Sequence, residues 1–281
     1  MKLRKIMGMA SAIILAVALV GCSSPQQPAP PPAAKPKVDL IKAAGKMVLG
    51  TSPDYPPYEF PIRVEGGTKI VGVDILIAEE IAKDLGVKLE IRELVFDSIL
   101  LALDSGEIDI GISGFNPKPE RRESNDFSDI YILVDYGFLA PKDKAAAIQS
   151  QDDLRNLTVG VQRGTTMEDT AKELAQEVPN LTIKSLGKIP ELILELQSGN
   201  IDVMFADKPV AESQANANPA FAVAPYTIPD SEGGFAAAFK KGNEDFVAAV
   251  NKTLARLNQE GKIEQFLLEA REIEAGQAGS N

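Results

Sequence analysis

Histidine and tryptophan are absent from this 281-residue sequence, and cysteine occurs once. The lack of histidine excludes Ser-His and Cys-His triads, histidine-based zinc sites and histidine general bases. The lone Cys22 excludes an intramolecular disulfide and any multi-cysteine cluster. Positive charge is in deficit too, with 29 Lys and Arg against 40 Asp and Glu, net −11. Residues 1–21 hold three of those bases, Lys2, Arg4 and Lys5, and no acid, so the remainder carries 26 bases against 40 acids, net −14. Such a balance argues against nucleic acid and against a polybasic membrane patch. No cofactor and no metal are expected.

What is present begins with a sorting signal. Three bases precede an apolar run over residues 10–20, the layout of a secretory signal peptide and too short for a comfortable transmembrane helix. The run ends in Leu19-Val20-Gly21-Cys22, which resembles the bacterial lipobox, whose cysteine is acylated and becomes the new N-terminus. A diacylglyceryl group and an N-linked palmitate class of anchor on Cys22 would hold the chain at the extracytoplasmic face of the cell membrane. Residues 23–39 contain six prolines and almost no large apolar residue. They read as an extended tether, spanning up to about 50 Å at ~3.1 Å per residue.

From residue 46 the pattern alternates strands and helices. Short strands are expected at 47–50, 70–73, 87–94 and 108–112, with helices over 74–85, capped by Asp74, and over 97–105. The second half repeats the first: residues 101–114 and 194–207 align without a gap at an offset of 93. Their leading strands correspond as well, 48–51 with 158–161. A twofold repeat of this length is no solenoid, and two similar α/β lobes follow. The expected fold class is an α/β two-lobed clamp, each lobe a mainly parallel sheet flanked by helices, with two hinge crossings. Lobe 1 is assigned to residues 45–136 and 234–272, lobe 2 to 137–233, the tether to 22–44 and a flexible tail to 273–281.

Ligands of such sheets bind outside the carboxyl ends of the strands. Residues 110–122 supply one such end: a strand running into Ser113-Gly114, a turn through Asn116-Pro117, and Pro119 opening a short helix with Arg121 in its first turn. A guanidinium and backbone N–H groups converge there, which suits a small carboxylate. The repeat places Asp207 opposite, at the equivalent strand end.

The span 46–270 resembles the amino-acid-binding proteins of bacterial ABC importers, solute-binding protein family 3. The carriers are Gly50-Thr-Ser-Pro-Asp-Tyr-Pro-Pro-Tyr-Glu-Phe60, Ile70-Val-Gly-Val-Asp74, Pro119-Glu-Arg-Arg122 with Asp126-Phe-Ser-Asp129, Gly160-Val-Gln-Arg-Gly-Thr-Thr166, and the strand ending at Asp207. The resemblance implies a monomeric, periplasmic-binding-protein-like clamp that closes on a free polar amino acid, cationic or glutamine, and delivers it to an ABC permease. It places the ligand's carboxylate on Arg121 with the N–H groups of Asn116 and Thr166, and its ammonium on Asp207, the Gly114 carbonyl and the Ser113 hydroxyl. Ser52, Tyr55, Phe96, Phe115 and Gln162 would line the side-chain subsite. Asp54 stands two residues from the acid of many relatives, and either points into the pocket or caps its loop. An alternative on the same fold is a secreted cyclohexadienyl-type dehydratase, whose catalysis would have to run on Asp54, Asp207 or another carboxylate.

Overall fold

The computed structural model describes residues 35–230 and 233–278. Cys22, the signal segment and most of the tether lie outside these residues. The chain opens with α1 (Lys37–Ala44), β1 (Lys46–Thr51), β2 (Phe60–Val64), β3 (Gly67–Val71), α2 (Val73–Leu85), β4 (Lys88–Glu93), α3 (Ile99–Ser105), β5 (Ile110–Gly111), α4 (Pro119–Ser124) and β6 (Asn125–Phe127). It continues through β7 (Asp135–Pro141), α5 (Lys142–Ala145), β8 (Thr158–Gln162), α6 (Thr166–Glu177), β9 (Thr182–Leu186), α7 (Ile189–Gln197), β10 (Val203–Asp207), α8 (Lys208–Ala217) and β11 (Phe221–Pro229). β12 (Ala238–Lys240), α9 (Glu244–Gln259) and α10 (Lys262–Ala278) complete it.

Two five-stranded sheets form the lobes, ordered β4-β1-β5-β12-β6 and β11-β7-β10-β8-β9. In each, the three strands of the repeat are parallel, as helical crossovers require. The remaining two strands join antiparallel, so both sheets are mixed. The chain leaves the first sheet after β6, and it returns to it at β12 after completing the second.

The repeat is visible in packing. Gly50 on β1 and Gly160 on β8 are equivalent, and a Cβ at either would stand 2.3 or 2.4 Å from the Cδ1 of the equivalent Ile108 or Ile201. These two glycines admit the isoleucine that closes each strand–helix–strand unit. Asp109 and Asp202 are likewise matched: they accept the backbone N–H of Val48 (2.8 Å) and of Thr158 (2.9 Å), pinning the first strand of each lobe. In the second lobe Phe138 is fully buried, stacked on Phe205 at 4.4 Å and on Tyr226 at 5.4 Å. Phe138→Ala is expected to cost about 3–5 kcal/mol, measured as a lower urea midpoint with an unchanged slope.

Three local expectations are revised. The tether assigned through residue 44 ends earlier, because α1 is helical and packed: Ile41 is buried, Lys37 pairs with Asp109 at 2.6 Å, and the Val38 N–H donates to Asp245 (2.9 Å). The tail assigned to 273–281 is helical as far as Ala278, and Glu274 accepts a hydrogen bond from Ser213. Asp74 does not cap α2. Gly72 occupies that position, and the Asp74 carboxylate turns inward to other donors.

Candidate functional site

The carboxyl ends of β1, β5, β8 and β10 meet between the lobes around a narrow cavity, with room for little more than a water-sized sphere, about 10 Å³. Its walls are Ser52, Asp54, Tyr55, Glu59, Phe96, Ser113, Gly114, Asn116, Gln162, Thr165, Met167 and Asp207. Nine of these were expected from the sequence. Glu59, Thr165 and Met167 were not. For Glu59 the available signal was an acid held between Tyr58 and Phe60, and for Thr165 a hydroxyl directly before a helix start.

Each side chain is placed by a strand end or a helix start. Asp207 is the last residue of β10 and is fully buried, with Oδ2 accepting the Tyr55 hydroxyl at 2.6 Å. Its Oδ1 is buried with no hydrogen-bond partner. Burial pushes this carboxyl up to about 8, the charge of Asp230 adds to the rise, and the Tyr55 hydroxyl opposes it. Pro119 opens α4 as its first residue, which sets Arg121 one turn in and buried. Arg121 touches Asn116 but does not itself line the cavity. Its guanidinium donates to the Asn116 carbonyl (2.7 Å) and, across the crevice, to the Gly164 carbonyl (2.8 Å). Its carbon lies 5.6 Å from the Phe96 ring centre and 5.3 Å from that of Phe115, a cation held against two aromatic faces.

Phe115 stacks on Phe96 at 4.7 Å and is buried behind it, so it supports the wall without forming it. Thr166 is also off the wall. Its hydroxyl donates to the Asn116 side-chain oxygen (2.8 Å) and accepts from Tyr136 (3.0 Å). Thr165 caps α6, accepting the Glu168 N–H at 3.2 Å, and its own hydroxyl donates to the Gln162 carbonyl.

Asp54 takes the first of the two places the sequence left open and adds a contact it did not show. It lines the cavity, and it also crosses to the other lobe, where Oδ2 accepts the Ile189 N–H (2.9 Å) at the start of α7. The Ser52 hydroxyl and the Gln162 amide donate to the same carboxylate at 3.0 and 3.4 Å. Burial raises its pKa, and these donors pull the other way. At the rim Arg163 pairs with Asp97 (2.8 Å) and Lys118 with Asp169. These contacts hold the two lobes closed. Among the described residues no cluster of three or more His, Cys, Asp or Glu is placed to hold a metal ion.

Buried carboxylates on the walls, a guanidinium bonded to the wall residue Asn116 and a closed crevice between two α/β lobes define a clamp for a small charged solute. Residues 47–269 match the bacterial extracellular solute-binding proteins, family 3, and the chain belongs to that family. It is 35% identical over 224 residues to the arginine-binding extracellular protein ArtP of Bacillus subtilis, covering 79% of this chain and 84% of that one. Among solved structures it is similar to the amino acid ABC transporter substrate-binding protein AbpA of Streptococcus pneumoniae bound to L-arginine. That match has a TM-score of 0.81 and 34% identity, over 84% of this chain and 99% of the other. The ancestral amino-acid-binding protein AncCDT-1, a precursor of cyclohexadienyl dehydratase, matches at a TM-score of 0.73 and 33% identity, over 83% and 98% of the two chains.

Proposed function

We propose that this chain captures a cationic L-amino acid, with L-arginine the first candidate, and hands it to an ABC permease while anchored to the membrane through a lipid on Cys22. The observation that carries the reading is the buried, unpartnered Oδ1 of Asp207 on the cavity wall. A carboxylate oxygen is acceptor-only, and leaving it unsatisfied in a dry site costs several kcal/mol on the order of a lost charged hydrogen bond. A ligand ammonium is the group that satisfies it.

Arg121 supports the other end of the zwitterion. Its planar fork can turn from the Asn116 and Gly164 carbonyls to a carboxylate without leaving the faces of Phe96 and Phe115. The start of α6 reaches the cavity wall through Thr165, its N-cap, where a helix N-terminus favours a carboxylate. The charge balance supports a cationic side chain, since Asp54, Glu59 and Asp207 line the cavity while no lysine or arginine does. ArtP and AbpA carry arginine in their names or structures, which is consistent with that choice. Lipid anchoring rests on the resemblance of residues 19–22 to the lipobox.

The test is a calorimetric titration with L-arginine across pH. The ammonium binds the ionised form of Asp207, whose ligand-free value of about 8 lies above neutrality. Binding at neutral pH therefore displaces one proton, and affinity rises by up to about tenfold per pH unit from about pH 6 until it levels near pH 8. Titrations in buffers of different ionisation enthalpy count the proton. An affinity independent of pH, with no proton released, would contradict the assignment of Asp207.

A further inference from the structure

Two fully buried carboxyl groups have no part in the zwitterion clamp: Glu59, which lines the cavity beside Ser113 and Gly114, and Asp74, which does not line it. They face each other. The Asp74 carboxylate has a donor on each oxygen: the Gly114 N–H on Oδ2 (2.9 Å) and the Tyr131 hydroxyl on Oδ1 (2.9 Å). Glu59 has one, the Ser113 hydroxyl on Oε1 at 2.6 Å, and its Oε2 is buried with no donor. The groups acting on the pair are Ser113, Gly114, Tyr131 and the Asp54 carboxylate, none of them a cation. Tyr58 packs beside them, and Arg271 is felt at Tyr58.

Two adjacent carboxyls in a dry site cannot both ionise. Asp74 is already supplied with donors as an anion, so the shared proton belongs on Glu59 Oε2, where it supplies the one hydrogen bond the pair lacks. Burial raises both groups, Asp74 to about 6, and the Asp74 charge adds to the rise at Glu59. The consequence reaches the cavity through Ser113. A hydroxyl has one proton, and that proton is committed to Glu59 Oε1, while the Ser113 Oγ itself accepts the Ser52 N–H at 3.1 Å. What Ser113 can still offer is a lone pair.

We propose that Glu59 and Asp74 form a one-proton positioning pair: Glu59 as a neutral acid turns the Ser113 hydroxyl into an acceptor for the ligand's ammonium, and Asp74 as an anion fixes the Gly114 backbone beside it. This rests on the amino-acid reading for the place of the ammonium, but the protonation of Glu59 does not.

Two measurements test it separately. The infrared difference between the wild-type protein and Glu59→Gln, at neutral pH without added ligand, is expected to show a protonated carboxyl band lost in the variant. Its absence overturns the proposal whether or not the protein binds amino acids. The second is affinity for L-arginine. Glu59→Gln, whose amide donates to Asp74 and accepts from Ser113, is expected to bind within about threefold of wild type, whereas Glu59→Ala weakens binding about tenfold or more. Ser113→Ala is expected to weaken it similarly, and the Glu59→Ala/Ser113→Ala double variant to lose little beyond either alone. Additive losses, or a Glu59→Gln loss as large as that of Glu59→Ala, overturn the positioning role and make Glu59 a direct partner of the ligand.

Discussion

Arg121→Ala is expected to abolish amino-acid binding at micromolar concentration, although its guanidinium is not part of the cavity wall. The variant removes the fork proposed to meet the ligand's carboxylate, and at the same stroke the cation beside Phe96 and Phe115 and the bridge to the Gly164 carbonyl in the other lobe. Breaking a buried charged pair costs about 3–5 kcal/mol, against about 8 kcal/mol for a micromolar complex. The dissociation constant therefore rises by roughly two to three and a half orders of magnitude, which calorimetry resolves as loss of binding. Arg121→Lys keeps the charge but loses the bidentate geometry, and its affinity falls between the two. An unchanged affinity in Arg121→Ala would place the carboxylate elsewhere.

Asp207→Asn has an effect of similar size with the opposite signature on stability. The amide presents donors where the ammonium needs an acceptor, so affinity is expected to fall about a hundredfold or more. The ligand-free protein, in contrast, gains. The folded-state value of Asp207 is raised to about 8 from its ordinary 3.8. The folded chain thus binds more protons than the unfolded one between those values, and stability declines as pH rises through that window. Asparagine removes the decline. Thermal melts of the ligand-free proteins at about pH 8 should show the variant equal to or more stable than wild type, with the pH-linked proton release on binding gone. A variant that both loses stability and keeps its affinity would reverse the account of this residue.

The repeat explains how much of this site could be read in advance. Aligning residues 101–114 with 194–207 put Gly114 and Asp207 at equivalent strand ends before any coordinates, and both line the cavity. Spacing carries that information because the tip of a parallel strand is where a βαβ unit presents its residues. Depth is not carried in the same way. Arg121, Thr166 and Phe115 contact Asn116 and Phe96 but do not themselves line the cavity, and nothing in a one-dimensional pattern separates lining from supporting positions. The double role of Asp54 needs the start of α7, which is 135 residues away in sequence. Glu59 and Asp74 both stand in stretches that carried the family resemblance, yet their pairing became visible only when α2 was placed against the loop before β2. The packing of α1 was hidden by the prolines that precede it, which made the whole of residues 22–44 read as tether although Val38, Leu40 and Ile41 stand within the helix.

The central claim is that the crevice holds both charged ends of one amino acid, the carboxylate through Arg121 and the ammonium through Asp207. The most direct test is a thermal-shift comparison of each L-amino acid with the amine left when its carboxylate is removed, L-arginine against agmatine first. A ligand at a hundred times its Kd raises stability by about 2.7 kcal/mol, a shift readily measured. The account predicts stabilisation by at least one polar L-amino acid and none by its descarboxy amine. Equal stabilisation by the amine, or no response to any of the twenty amino acids, would contradict it.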